Sequence, residues 1–518
     1  MLNINLTSRL SATVIGLLIF FVPFFTYLSP VNLRILSKPD ILEILLSLII
    51  ILIVIFISSF SVEMLMKRFF KKKIMLFPLL CFAFYLNFLY MPFSESVQEF
   101  LDLKVTHSTM PIFIFFEFCC LAIIAFGAKF NVFSIRMILI FSIFMLINAF
   151  IPLVGYLAEN IGKNPTISYE INSDPLTQDK ILTKRNIYYI ILDEMMAIET
   201  AAQVNITTKK EVLGNLSSAG LKYIDKSQSS YSETMMTLAS LMLIDYHHKP
   251  SSPKYVDDSN FFPRMMYKMH TELPLISYLK KANSSFFWSG NSVAGCNDSR
   301  FISPSLTFKF KWVSCINSTN DFSSKNSFKF YLTTPFATIY KRIFKYTEDQ
   351  FSIDKFLKYI DKNGKPKTPF FAFIHHLSPH RPFLVTKECE PTNYINRNFE
   401  GYKASYQCTI KKIKMFMEKI NNIDPEAIVV FQADHGLRSG ENFDLELTEQ
   451  EKYLFLGKIF NAIKAPEICF DKYGLPRTNV NTIRFTLNCA YGFKLPYRKN
   501  IHYKTSNWGT VVEKIIYE

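Results

Sequence analysis

A chain of 518 residues, 49% of them hydrophobic, is too long for one ordinary domain, and its apolar residues are too unevenly spread to be read as one. The net charge of +15 is the usual mark of a nucleic-acid binder, but it sits mostly in the part read below as exported, in pairs such as Lys209-Lys210, Lys280-Lys281 and Lys411-Lys412. No nucleic-acid partner is therefore expected; a basic exported face suits anionic lipid head groups or surface polysaccharide, or is simply a solvated surface.

Residues 1–160 carry five long apolar runs, at about 11–29, 42–61, 74–92, 111–128 and 137–157, each near the ~20 residues that cross ~30 Å of hydrocarbon. They predict a bundle of five transmembrane helices. A cleaved signal peptide is the alternative for the first run, although no clear small-residue cleavage site precedes Pro30. Lys67-Arg68 and Lys71-Lys72-Lys73 follow the second run, and Lys129 and Arg136 lie between the fourth and fifth, whereas the loop from Pro92 to Met110 carries Glu95, Glu99 and Asp102. Basic loops stay in the cytoplasm, so the N-terminus belongs inside and everything after the fifth run outside, beyond an inner or plasma membrane. Arg34 and Lys38 oppose this but are outweighed by the cluster after the second run.

Residues 161–184, with Gly162, Pro165, Ser168 and Pro175, lack periodicity and read as a linker to an exported domain at 185–518. There, Asn186 to Leu192 is a continuous apolar strand ending at Asp193-Glu194, Phe370 to Ile374 a second ending at His375, and Ala427 to Gln432 a third ending at Asp434-His435-Gly436. Helix-like segments at about 195–218, 233–244 and 401–421 fall between them. Strands without alternation are buried on both faces, which predicts an α/β domain with a mostly parallel central sheet covered by helices. Ligands of such sheets bind beyond the carboxyl ends of the strands, where these polar clusters fall.

Six cysteines, Cys296, Cys315, Cys389, Cys408, Cys469 and Cys489, lie in the exported part, and an even number there reads as disulfides. Local pairing, 296–315, 389–408 and 469–489, is one of fifteen connectivities; each bridge would close a loop of ~20 residues, worth roughly 3 kcal/mol. No CxxC knuckle supports a zinc ribbon. His247-His248 follows Asp245 and reads as surface.

Asp193, Glu194, Asp434 and His435, with His375, His380 and the hydroxyl of Thr234 in a Ser232-Glu233-Thr234 helix start, form a carboxylate and imidazole set without thiolates. That set suits one divalent metal, zinc or manganese. A hydroxyl beside such an ion becomes a nucleophile, and a helix N-terminus favours an anionic substrate. Taken singly, each element also has a bland reading as a turn or a helix cap.

Four blocks, in order over about 250 residues, resemble the alkaline phosphatase and sulfatase superfamily. They are NIYYIILDE at Asn186–Glu194, YSETMMTLASL at Tyr231–Leu241, PFFAFIHHLSPHRPF at Pro369–Phe383 and FQADHG at Phe431–Gly436. With the helical anchor and a threonine in the nucleophile place, the chain is similar to envelope phosphoethanolamine transferases and lipoteichoic-acid-type phosphoglycerol transferases. The resemblance implies a phospho-threonine intermediate on Thr234, a phospholipid donor and a lipid or glycan acceptor. It also implies a metal held by Asp193, Thr234, Asp434 and His435 with Glu194 as an extra ligand, and His375 and His380 contacting the phosphoester or protonating the leaving group. It makes Cys389–Cys408 a plausible bridge.

The sequence departs from the hydrolytic sulfatases, which need Cys or Ser in a C/S-x-P-x-R setting; Thr234-Met235-Met236-Thr237-Leu238 lacks the Pro and the Arg. A two-zinc phosphatase would need further ligands, and His247, His248, His270 and His502 are what remains, so one metal is expected. A metal-dependent sulfatase or phosphodiesterase, and a non-catalytic envelope assembly protein, are the alternatives.

Overall fold

The computed structural model describes residues 6–28, 38–70, 76–89, 112–117, 184–247, 273–290, 313–316, 352–366, 369–381, 383–396, 399–438, 455–506 and 510–517, with single positions 119, 143, 144, 147, 150, 151, 154, 262, 330, 331, 334, 448 and 451. The backbone falls into two units, Met1–Asn164 with Asp321–Tyr346, and Pro165–Asn320 with Thr347–Glu518. The sequence reading placed all of 185–518 in one stretch; the grouping of 321–346 with the N-terminal unit differs from it.

In the first unit, α1 (Leu6–Tyr27), α2 (Lys38–Phe70) and α3 (Leu76–Asn87) share a core of Phe20, Phe24, Leu28, Ile44, Leu48, Phe77 and Cys81. The outer face of α2 is also apolar: Ile50, Val54, Ile57 and Phe60 are all more than half exposed. A helix apolar all round has its free face solvated by lipid rather than water. Its stretch Ile41–Leu65, 25 residues, is long and apolar enough to cross a membrane, since ~1.5 Å per residue makes it about 38 Å. Among the described residues it is the one helix that passes this test, against five expected spans; Gly16–Tyr27 is a shorter apolar stretch. Most of the runs at 111–128 and 137–157 lies outside the described residues.

The second unit runs β1 (Ile187–Leu192), α4 (Ile198–Gln203), α5 (Lys209–Ser218), β2 (Lys222–Tyr223), α6 (Thr234–Leu243), α7 (Pro274–Lys281), β3 (Ser285–Ser289) and β4 (Val313–Cys315). Next come α8 (Ser352–Asn363), β5 (Phe370–His376), β6 (Phe383–Val385), β7 (Pro391–Asn396), α9 (Phe399–Ile423) and β8 (Ile428–Ala433). The chain ends with β9 (Asn461–Lys464), α10 (Glu467–Tyr473), α11 (Asn479–Tyr491), β10 (Asn500–Ser506) and β11 (Thr510–Tyr517). Seven strands form one sheet in the order β2-β9-β8-β1-β5-β3-β4. From β8 to β4 the neighbours are parallel, while β9 is antiparallel to both β8 and β2. The sheet is thus mixed, with the expected parallel centre and an antiparallel edge, and the three apolar runs are its three adjacent strands β8, β1 and β5.

Alternate residues of these strands feed two cores. Tyr189, Ile191, Phe371, Phe373 and Val430 pack on α6, α7 and α11 through Leu238, Leu275 and Phe485. Tyr188, Ile190, Ile374, Val429 and Phe431 pack on α8 and α9 through Phe356 and Phe416. Burial on both faces is why the runs show no polar alternation. At the amino end of β1, Asn186 donates to Asp424 (2.6 Å) and accepts from the Phe370 amide (3.2 Å), and Asp424 also receives the Tyr188 hydroxyl (3.1 Å). This buried polar lock sets β1 against β5 and against the α9–β8 turn.

Disulfides join Cys389 to Cys408 and Cys469 to Cys489, as local pairing anticipated; Cys296, of the third expected pair, lies outside the described residues. The Cys469–Cys489 bridge ties α10 to α11, which packs under the sheet. The double substitution Cys469→Ser/Cys489→Ser should lower the stability of this unit by roughly 3 kcal/mol, read as a fall in Tm that reducing agent produces in the parent protein but no longer deepens in the variant at this bridge.

Candidate active site

Register brings the polar residues together. Leu192, the last residue of β1, lies opposite His376 of β5 and Ala433 of β8, so Asp193, His375 and Asp434 come off the sheet at one level. The Asp193 amide donates to the His376 carbonyl (3.0 Å), and the Glu194 amide to Asp434 Oδ1 (3.1 Å). Asp193, Asp434 and His435 each offer a ligand atom within 4.8 Å of the others, and all three side chains are buried. His375 Nε2 lies 3.4 Å from Asp193 Oδ2.

His435 has one available tautomer. Its Nδ1 is 2.7 Å from the Gly436 carbonyl, which can only accept, so the proton is on Nδ1 and the Nε2 lone pair faces the cluster. Thr234 Oγ1 is 3.1 Å from that Nε2. Thr234 is the first residue of α6, whose unpaired amides put the positive end of the helix beside the hydroxyl. Gly436 is required where it stands: a Cβ there would lie 1.9 Å from the Phe455 carbonyl oxygen and 2.9 Å from that of Lys458.

Glu194 is adjacent in sequence but is not in the triad of closest ligand atoms. It takes the left-handed conformation (φ 62°), and its Oε1 lies 3.9 Å from both His380 Nε2 and Arg438 Nε. Arg438 in turn donates to Glu233 Oε2 at 2.7 Å. The structure thus brings Asp193, Asp434, His435, Thr234 and His375 into one cluster and sets Glu194 and His380 at its rim with Arg438.

The electrostatics are those of a buried anionic pocket. Burial, and then the neighbouring Asp434 carboxylate, raise the Asp193 carboxyl well above its ordinary range. Burial pushes His375 down to about 4 and, with the Arg438 cation, His435 down to about 3, so both imidazoles are neutral. For His380 burial acts downward too, but the Glu194 and Asp193 carboxylates outweigh it and the imidazole is raised. Asp193 Oδ1, Asp434 Oδ2 and Glu194 Oε2 are buried oxygens without a hydrogen-bond partner. Such atoms cost free energy unless a cation meets them. Two carboxylates, a neutral imidazole and no thiolate fit zinc or manganese.

Three residues were not singled out from sequence. Arg438 stands two residues past a recognisable block with no motif of its own. His502, on β10, is buried; its Nδ1 donates to the Ser229 carbonyl (2.8 Å) and its Nε2 accepts from Ser232 Oγ (3.2 Å), holding the stretch before Thr234. The Tyr503 amide donates to Ser230 and the Ser232 amide to Tyr503, so β10 runs beside that stretch as a strand would. Gly436 was legible as part of a block but not as a steric necessity. His247 corrects the surface reading: it is half-buried, its ring lies tilted against Tyr231 with centroids 4.6 Å apart, and it donates to the Met236 carbonyl (2.8 Å). His248 and His270 lie outside the described residues.

The sequence model of the family described as Sulfatase matches residues 185–462, more than half of the chain, from β1 through β8 to β9. The chain belongs to the sulfatase family, within the alkaline phosphatase and sulfatase superfamily. Among solved structures it is similar to the C-terminal periplasmic domain of EcEptC from Escherichia coli, at 11% identity over 66% of this chain and 94% of that one, TM-score 0.41. The lipooligosaccharide phosphoethanolamine transferase A of Neisseria meningitidis aligns at 13% identity over 91% and 95%, TM-score 0.38. The lipoteichoic acid synthase LtaP of Listeria monocytogenes aligns at 15% over 54% and 65%, TM-score 0.34. Comparison with curated proteins returns no match.

Gly436→Ala should displace the Phe455 or Lys458 backbone and with it His435. A fall in stability of about 1–3 kcal/mol or more, on the scale of an overpacked core, is expected in a melt of the purified protein.

Proposed function

We propose that this chain is a membrane-anchored, metal-dependent phosphotransferase that moves a phosphoethanolamine or phosphoglycerol group from a phospholipid to a cell-surface lipid or polysaccharide. The observation that carries the reading is Thr234 Oγ1, at a helix N-terminus and 3.1 Å from His435 Nε2, where the hydrolytic sulfatases need a convertible Cys or Ser. In this reading Asp193, Asp434, His435 and Thr234 hold one divalent ion, zinc or manganese, with Glu194 as an outer carboxylate. Bound there, the ion would acidify the Thr234 hydroxyl and stabilise charge on the phosphoryl oxygens.

The first step forms a bond from Thr234 Oγ1 to phosphorus and breaks the bond to the leaving oxygen of the lipid. His380 suits the proton donor to that oxygen, because neighbouring carboxylates favour its charged form and it is 31% exposed on the side chain, open to a substrate. His375, neutral and fully buried, can only orient the phosphoester by hydrogen bonding. Thr234 attacks as the alkoxide; in the second step an acceptor hydroxyl attacks phosphorus, the bond to Thr234 Oγ1 breaks to return that alkoxide, and the acceptor's proton goes to His380. The five apolar runs serve as the anchor, and the catalytic unit works on the periplasmic or extracellular side. Hydrolysis by water in the second step, as in a sulfatase or phosphodiesterase, is the competing reading, and no observed group favours it.

Intact mass spectrometry of the full chain in detergent, incubated with zinc or manganese and mixed phospholipids, should show an adduct of phosphoethanolamine or phosphoglycerol mass that Thr234→Ala abolishes. A metal-loaded chain that stays unmodified would move the assignment to hydrolysis. Asp434→Asn should remove the bound ion, measured by elemental analysis, with the membrane level of the protein unchanged; retained metal would refute the ligand set. His380→Ala should slow transfer ~10²–10⁴-fold, the range of a lost general acid, while leaving the metal content intact.

A further inference from the structure

Residues 321–346 leave the catalytic half of the sequence between β4 and α8 and group with the N-terminal helices. Phe330 is 2% exposed and Tyr331 6%, in the same core as Phe20, Phe24, Ile44, Leu48 and Phe77. The Phe330 ring packs on Tyr27 (5.3 Å) and Phe88 (4.9 Å), and Tyr331 on Phe88 (6.3 Å). The Tyr331 hydroxyl is hydrogen-bonded to Ser47 Oγ, as a buried phenol requires. Thr334 closes a turn on the pair by donating its amide (2.9 Å) and hydroxyl (2.7 Å) to the Tyr331 carbonyl.

The partners lie at particular places. Tyr27 ends α1, Ser47 is in the opening part of α2, and Phe88 follows the end of α3. Helices that cross back and forth present these three ends on one side, and one aromatic pair touches all three. The basic residues Lys67 and Arg68 are at the opposite end of α2, as expected if the touched ends face away from the cytoplasm.

We infer that Phe330 and Tyr331 form an intramolecular anchor: a plug from the catalytic half of the chain, seated among the outward ends of α1, α2 and α3. It holds that half to the membrane helices at a second place besides the 161–184 linker. The inference is independent of the metal and of the reaction.

The test uses the full chain with a site-specific protease sequence placed within 165–183. After cleavage, membranes are washed in alkaline carbonate and the 165–518 portion is followed in pellet and supernatant. The wild-type portion should stay in the pellet, and Phe330→Ala/Tyr331→Ala should lower the retained fraction by at least ~100-fold, a floor for loss of two buried aromatic side chains. Release of the wild-type portion to the same extent as the variant, or equal retention of both, overturns the proposal. Should the double variant lose the protease resistance of its catalytic half, Tyr331→Phe and Ser47→Ala decide instead. Each should lower retention a few-fold, and their combination should add nothing beyond either alone; unchanged retention, or independent additive effects, overturns the seat.

Discussion

Two carboxylates, Asp193 and Asp434, are placed side by side in a buried pocket at 2% and 0% exposure, and most of this unit follows from that placement. Bringing such groups together is unfavourable unless positive charge answers them. The sheet supplies the force that does it. β1 is bonded on both edges to parallel strands whose side chains are buried on both faces, so a slip of one residue would turn Tyr188, Ile190, Phe371 and Phe373 out of their cores. The hydrophobic cost of that slip exceeds the repulsion at the strand ends, and the carboxylates stay where the register puts them.

Thr234 is positioned by a separate device. Tyr231, Ser232 and Glu233 precede α6 and are paired not by the sheet but by the C-terminal hairpin: His502 spans Ser229 and Ser232, and the Tyr503 backbone brackets Ser230 and Ser232. Asn479, at the start of α11, adds its Oδ1 to the Ser230 amide at 2.8 Å and its amide nitrogen to the Ala433 carbonyl at 2.9 Å. One side chain thus connects the stretch before Thr234 to the end of β8, the strand that delivers Asp434 and His435. Thr234 and the cluster are held in a common frame by residues some 250 positions away in sequence.

This division explains what could be read from sequence. Local patterns were legible: NIYYIIL, FFAFI and AIVVFQ are uninterrupted because both faces are buried, and the polar residues that follow them are conspicuous against that background. The local cysteine pairs 389–408 and 469–489 were legible for a similar reason, as short closures. Long-range partners were not. His502 and Asn479 sit in ordinary contexts and gain meaning only when β10 and α11 fold back, and Phe330-Tyr331 is an unremarkable aromatic pair in a polar stretch. The antiparallel β9 escaped because Asn461–Lys464 is too short to carry a pattern. His247 was misjudged because its ring contact with Tyr231 spans a helix.

Asp193 and Glu194 are consecutive acids with different surroundings, and the difference bears on how many ions the site can use. A residue following a strand would ordinarily point to the opposite face; the left-handed backbone of Glu194 instead turns its carboxylate to the rim, within 3.9 Å of Arg438 and His380. Those two side chains already stand where a second metal would have to sit to share Glu194. Arg438 is further committed by its 2.7 Å bond to Glu233, so displacing it would strand two carboxylates. In the proposed reading, one ion would sit within Asp193, Asp434 and His435, and the Arg438 guanidinium, beside Glu194 and Glu233, would be a second positive charge at the same pocket. A transition state gathering negative charge in that pocket would then meet two cations, one the ion and one supplied by the chain itself.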